Sequence, residues 1–153
     1  MQYEKVKNAQ TTMSSEYSNL ETVINQRSKL TTKLSEICEK YMIDRNNLIK
    51  ELALSRKNID KAKNINQLSD SNSKMDRILK MIYEVSIYYP NLTSDVSYEG
   101  IKHELNEANK RIEDAIKDYN SSISEYNKLL NAFPTSLIKI IAKYKEKTYF
   151  ENK

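Results

Sequence analysis

The sequence of 153 residues is poor in amino acids that break regular structure or carry most chemistry: one glycine, two prolines, one cysteine, one histidine and no tryptophan. All-β proteins need glycine and proline for their many turns, so this composition argues against them and against collagen-like chains. A single cysteine excludes an intramolecular disulfide and a cysteine-based zinc site. Because 39% of the residues are hydrophobic, the chain has enough apolar material for one core. We therefore expect a single all-α domain that is not an enzyme and holds no cofactor.

Long apolar runs are also missing. The longest stretches without a charged residue are residues 85–94 and 129–138, of ten residues each, and both contain proline. A membrane-spanning helix needs about 20 predominantly apolar residues. The start of the sequence has no signal-peptide pattern either. We expect a soluble chain, or the soluble part of something longer.

Apolar residues recur at steps of three and four along most of the chain, which is the spacing of amphipathic helices. In the first stripe Arg27 occupies one of the inward turns. Residues 67–73 are polar and rich in Ser, Asp and Asn, which predicts a loop. Asn46 or Asn47 is favoured as the cap of a new helix, and Pro90 predicts a helix end at Tyr89. The predicted helices cover about residues 2–44, 47–65, 74–89, 96–132 and, as a short amphipathic piece, 136–144.

The fourth predicted helix contains two Tyr-Asn pairs, Tyr119-Asn120 and Tyr126-Asn127, which lie seven residues apart. Seven residues make two helical turns, so the tyrosines share one face and the asparagines lie beside it. Buried Tyr and Asn need hydrogen-bond partners and would fix the register of the helix. A small polar ligand site is the alternative interpretation.

Carboxylates of the same helix are the only candidates for a metal site. Glu107, Asp114 and Asp118 share faces of the helix, and His103 precedes Glu107 by one turn. Di-iron bundles need Glu-x-x-His motifs on paired helices, and no such motif is present. We therefore predict no buried metal centre, and weak binding of a hard cation at these surface carboxylates as the alternative function.

Other candidate sites have simpler interpretations. Cys38 lies on the apolar side of the first helix with no base nearby in the sequence, which predicts a small buried side chain. The segment 137–147 combines lysines with aliphatic residues, so it either docks on the bundle or lies on an anionic membrane surface. Basic and aromatic residues are not interleaved as nucleic-acid binding requires, so we predict no nucleic-acid partner.

The second half of the chain resembles the LemA family in the order and spacing of several motifs. The matching motifs are Tyr89-Pro90-Asn91-Leu92, Tyr119-Asn120, Tyr126-Asn127, Phe133-Pro134 and the closing Tyr149-Phe150-Glu151. In the first half Arg27, Leu30, Leu34 and Tyr41 align with the first long helix of the family. The chain departs from the family pattern at three places. Thr32 replaces Pro, Asp44-Arg45 replaces His-Glu, and Asn109-Lys110 replaces Glu-Asn.

The resemblance implies an elongated antiparallel four-helix bundle with a short C-terminal helix, carried behind one N-terminal transmembrane helix that this chain lacks. It also implies a single-pass protein of a bacterial membrane, either the inner membrane or a magnetosome membrane. We expect a non-enzymatic scaffold that contacts other membrane-associated proteins or itself. Two versions stay open: a general LemA protein, and a member of the magnetosome-associated MamQ branch with a role in forming the mineral organelle. Binding of iron or mineral through the acidic fourth helix is the competing hypothesis.

Overall fold

A computed structural model of the chain describes residues 2–132 and 149–150, and these residues form helices without any strand. The helices are α1 (Gln2–Tyr41), a 3₁₀ turn (Ile43–Arg45), α2 (Asn46–Lys61), α3 (Ile65–Ser86), α4 (Pro90–Thr93) and α5 (Val96–Asn131). The prediction of an all-α helical bundle is confirmed. The predicted short helix over residues 136–144 lies outside the described residues, as does the lysine-rich segment around it.

The bundle is built on the pairing of the two longest helices. At 1.5 Å per residue, α1 and α5 are about 60 and 54 Å long, and they pack against each other. The shorter helices α2 and α3 form a hairpin, in which α2 contacts α1 and α3 contacts α2. The turn of this hairpin, at residues 63–65, lies beside Tyr17 of α1 and Tyr119 of α5. The hairpin therefore covers only part of the long pair.

The core follows the apolar stripes of the sequence. Fully buried side chains recur along α1 and α5 at the expected steps of three and four residues, and one face of each helix is thus removed from water. Over all described helices, the largest fully buried apolar side chains are Leu20, Ile24, Leu34, Met42, Leu52, Met75, Ile82, Leu92, Tyr98, Leu105 and Tyr126. These residues belong to one continuous cluster, which supports a single domain over the described residues.

Two helix starts are capped by side chains. Asp95 caps α5 by accepting a 2.8 Å hydrogen bond from the backbone N–H of Ser97. Asn64 caps α3 by accepting from the N–H of Gln67, whose own side chain accepts from the N–H of Lys63, in the manner of a capping box. The expected asparagine cap of α2 is wrong, because Arg45 stands at that position without a side-chain hydrogen bond.

The loop predicted over residues 67–73 is wrong, since α3 already begins at Ile65. Ser69, Ser71, Asn72 and Ser73 are buried in this helix. Two of these side chains bond to other helices: the Asn72 side chain accepts from Arg27 of α1 at 2.7 Å, and the Ser71 hydroxyl donates to the carbonyl of Asn58 on α2 at 3.4 Å. Short polar side chains favour turns when they face water, but here tertiary hydrogen bonds outweigh that preference.

Leu105 and its neighbour Asn106 test which face of α5 is buried. Leu105 is 2% exposed, whereas Asn106 faces solvent. Leu105→Ala should lower the free energy of unfolding by about 2–5 kcal/mol, because it removes a buried side chain and leaves a cavity. Asn106→Ala serves as the matched control and should change it by less than about 0.5 kcal/mol. Urea unfolding followed by circular dichroism checks both values, and equal losses for the two variants would contradict the assigned face.

Candidate functional site

The most unusual side chain of the molecule is Arg27, at the middle of α1. It occupies an inward turn of the helix, as the sequence predicts, and it is only 1% exposed. An arginine stays charged at any physiological pH, and burying a charge is costly unless it is paired and hydrogen-bonded. The partners of Arg27 therefore determine how this part of the bundle is organised.

The guanidinium group of Arg27 joins three helices. Its Nη1 forms an ion pair with Asp76 of α3 and donates to Asn109 Oδ1 of α5 at 3.2 Å. Its Nη2 donates to Asn72 Oδ1 at 2.7 Å and to the Asn72 carbonyl at 3.4 Å. Asn72 and Asp76 are four residues apart, so they lie on the same face of α3. Arg27 thus fixes α3 relative to the α1–α5 pair.

A groove of about 530 Å³ opens beside this cluster, between α3 and α5. The two helices contact each other little, because α3 packs chiefly on α2 and α5 packs chiefly on α1. The groove is lined from α1 by Arg27, from α3 by Asn72, Asp76, Arg77, Leu79, Lys80 and Tyr83, and from α5 by Leu105, Asn106, Asn109, Ile112, Glu113 and Ile116. Burial raises the pKa of Tyr83 to about 12, so its hydroxyl stays protonated at neutral pH.

The first Tyr-Asn pair holds the end of the chain. The Asn120 side chain accepts from the backbone N–H of Phe150 at 2.8 Å and donates to the Phe150 carbonyl at 3.3 Å. Phe150 is 3% exposed and belongs to the core cluster. Tyr119 is also buried and makes an edge contact with Tyr17, with 6.0 Å between ring centroids. Asn120 therefore ties Phe150 to α5, a role that we did not predict.

Comparison with protein families matches residues 16–153 to the model of the LemA family. The match covers well over half of the sequence. The chain belongs to the LemA family. This family is membrane-associated and is not known for an enzymatic activity. Comparison with curated proteins gives no match. None of the helices described for this LemA chain is long and apolar enough to cross a membrane.

Asn109 belongs to the same polar cluster. It accepts from Arg27 and donates to Glu113 at 3.3 Å. The ion pair with Arg27 is made by Asp76 of α3. Sequence reasoning placed Arg27 inside but missed both partners on α3. Asn72 was expected to lie in a loop, and Asp76, in the predicted helix 74–89, was assigned no partner. Their four-residue spacing is the signal that would have revealed a shared helical face.

The predicted metal-binding carboxylates remain at the surface of this LemA domain. Glu107 is half-buried and accepts from Lys110 at 3.3 Å, whereas Asp114, Asp118 and His103 are exposed. Glu107 and Asp114 are two helical turns apart, which corresponds to about 10 Å along the axis. In residues 2–132 and 149–150, no three His, Cys, Asp or Glu side chains form a group that could hold a metal ion. Weak cation binding by these carboxylates stays a prediction.

Cys38 is fully buried on the apolar side of α1. Burial, with a smaller contribution from the nearby Glu39 carboxylate, raises the pKa of its thiol to about 12. A nucleophilic cysteine needs the opposite shift, toward the thiolate. In this environment Cys38 fills the core as a small apolar side chain.

A polar network holds one end of the bundle together. At this end α1 turns into α2, and α3 connects to α5. Tyr41 donates to Asp95 Oδ2 at 2.6 Å, and this hydrogen bond holds the pKa of Asp95 below its ordinary value. The Tyr89 hydroxyl donates to Asp44 and accepts from Arg45 Nε at 3.4 Å. Here Asp44-Arg45, which replace the usual His-Glu of the family, link the α1–α2 corner to the residue before α4.

Four large apolar side chains project from the same end. Each is between 69% and 86% exposed, and together we call them the tip: Ile43, Ile87, Tyr88 and Val96. Ile43 adjoins Asp44, Ile87 and Tyr88 precede Tyr89, and Val96 follows Asp95, so the polar network fixes the backbone beneath all four. The described residues include eight exposed large hydrophobics, and half of them lie at this end.

Replacing Arg27 tests whether its cluster holds the bundle together. Arg27→Met removes the charge but keeps much of the side-chain volume, and it leaves Asp76 and Asn72 without their partner. The free energy of unfolding should fall by about 3–5 kcal/mol, as when one partner of a buried ion pair is removed. Urea unfolding measures the change.

Arg56→Met is the matched control, because Arg56 is half-buried and, within the described part of the chain, donates to two hydroxyls, those of Thr31 and Ser35, at 3.1 Å. Its loss should be clearly smaller, about 1 kcal/mol. A cost for Arg27→Met no larger than that of Arg56→Met would contradict the central role of the Arg27 cluster.

Proposed function

We propose that this LemA chain is a non-enzymatic interaction module held at a bacterial membrane, and that the tip is its contact surface for other membrane-associated proteins. The observation that carries the proposal is the group of four exposed apolar side chains at one end of the bundle. Single exposed hydrophobic residues are normal on protein surfaces, but a concentration of them at one end of a bundle favours an interaction site there.

The backbone of the tip is already ordered by hydrogen bonds. The Tyr41–Asp95 bond and the contacts of Tyr89 with Asp44 and Arg45 connect the loops that carry the apolar side chains. A surface whose loops are fixed beforehand loses less conformational entropy when a partner binds. The arrangement therefore favours a docking surface over a loop that is merely mobile.

The charges around the tip favour a protein partner over an anionic membrane. Asp44 interacts with Arg45, and Asp95 interacts with Lys40, so the rim carries both signs. Attraction to an anionic lipid surface needs a cluster of basic residues. An apolar centre with a mixed polar rim is the common anatomy of a protein–protein interface, in which a tyrosine such as Tyr88 often contributes most of the binding energy.

The length of α1 defines where the tip would act. A membrane anchor ahead of α1 would leave the tip at the far end of that helix, about 60 Å away. The tip would then reach the exposed part of a neighbouring membrane-associated protein. In the specialised version of the proposal, the membrane is that of the magnetosome and the partners are proteins that form this organelle, as in the MamQ branch.

Photo-crosslinking in the native host tests the proposal. A photo-reactive amino acid at Tyr88 of the full-length protein should form a discrete adduct with a second membrane-associated protein, whereas the same group at the exposed Lys57 of α2 should not. Val96→Asp should abolish the Tyr88 adduct because it places a charge in the apolar centre. This variant should keep the fold, since an acidic residue is favourable in the first turn of a helix.

Ser97→Asp is the matched control, because it adds the same charge in the same turn without touching the apolar side chains, and it should keep the adduct. Absence of an adduct at Tyr88 would contradict the proposal that the tip binds a different protein. An adduct of the chain with a second copy of itself would contradict it as well.

Fractionation of the host membranes distinguishes the general version of the proposal from the magnetosome version. Enrichment of the protein with magnetically captured membranes supports the magnetosome role, and an even distribution over the plasma membrane contradicts it.

A further inference from the structure

The groove between α3 and α5 holds a hydrogen-bond donor that the bundle does not satisfy. Both Nη atoms of Arg27 have acceptors, but Arg27 Nε has none among the described residues, although the side chain is 1% exposed. A buried donor without an acceptor costs free energy. Arg27 lines the groove, so a ligand acceptor that reaches the buried Nε–H from this side removes the cost.

The charged groups of the groove call for an anion. On its walls Arg77 and Lys80 have no ion pair within the described part of the chain. The two carboxylates of the groove already have partners, since Asp76 pairs with Arg27 and Glu113 accepts from Asn109. The groups left for a ligand are therefore mainly donors, and the charges of the lining sum to one positive charge.

The groove also has an aliphatic strip. Leu79 of α3 and Leu105, Ile112 and Ile116 of α5 line the same space as the charged groups. A volume of about 530 Å³ falls within the range that is typical of small-molecule sites. A site that combines charged and amide side chains with an aliphatic strip suits a ligand that has a polar head and a hydrocarbon body.

We propose that the α3–α5 groove binds a small organic carboxylate with an aliphatic body. The carboxylate accepts from Arg27 Nε and is attracted by Lys80, while the aliphatic body lies against the leucine and isoleucine side chains. This site is separate from the tip, because it lies along the helices and uses different residues. The proposal concerns a ligand and is independent of the protein partner proposed for the tip.

Nuclear magnetic resonance can follow the donor itself. In the ¹⁵N-labelled chain, burial separates the Arg27 Nε–H signal from those of the other arginines through slow exchange with water. Titration with octanoate should shift this signal and the backbone amide signals of Tyr83 and Asn109, and the shifts should saturate. Octanol, which has the same aliphatic body without the charge, should bind at least about tenfold more weakly, since charge-assisted hydrogen bonds are the strong ones.

Lys80→Glu should weaken octanoate binding at least about tenfold, because it replaces an attraction by a repulsion at the groove. Lys74→Glu is the matched control on the same helix, since Lys74 is exposed outside the groove. This variant should bind octanoate as strongly as the unchanged chain does. An Nε–H signal that octanoate leaves unmoved would overturn the proposal, as would equal binding of octanoate by the Lys80→Glu and Lys74→Glu variants. A response to inorganic phosphate as strong as that to octanoate would contradict the proposal that the ligand has an aliphatic body.

Discussion

The buried guanidinium group of Arg27 is the constraint on which the arrangement of this bundle depends. Apolar packing joins α1 to α5, and α2 to its two neighbours, but non-directional packing does not by itself fix where α3 lies relative to α5. The hydrogen bonds from Arg27 to Asn72, Asp76 and Asn109 fix this position, because a planar guanidinium group can donate to its partners in only a few arrangements. A polar cluster thus specifies a geometry that the apolar stripes leave open.

The same cluster explains why the bundle has an open side. Polar side chains occupy the space between α3 and α5 where a closed bundle would have interdigitated aliphatic residues, and the groove follows from this. At the other sites of interest, polar groups also determine geometry. Asn120 holds the backbone of Phe150, and Asp95 both caps α5 and accepts from Tyr41. The apolar core supplies the bulk of the stability, while a small number of hydrogen bonds positions the chain end, the tip and the groove.

Sequence reasoning predicted the features that follow from the spacing of apolar residues along the chain. The stripes of α1 and α5 indicated two long helices, and the inward position of Arg27 was visible as one charged step in an apolar stripe. The polar segment 67–73 was misread, because its residues favour turns locally, whereas the partners of Asn72 and Ser71 lie on other helices. The groove and the tip were also not predicted, since both depend on which helices face each other across the bundle. Periodicity shows the buried face of a helix but not its neighbour.

The most direct test of this account is the distance between α1 and α3, measured by electron paramagnetic resonance with spin labels at Lys33→Cys and Lys74→Cys. Both positions are exposed, and Cys38 is buried and can be replaced by alanine. With Arg27 present, we predict one narrow distance distribution. In the Arg27→Met variant, under conditions where circular dichroism shows unchanged helical content, the distribution should broaden because α3 is no longer fixed to the α1–α5 pair. The same narrow distribution in both proteins would contradict the central role assigned to Arg27.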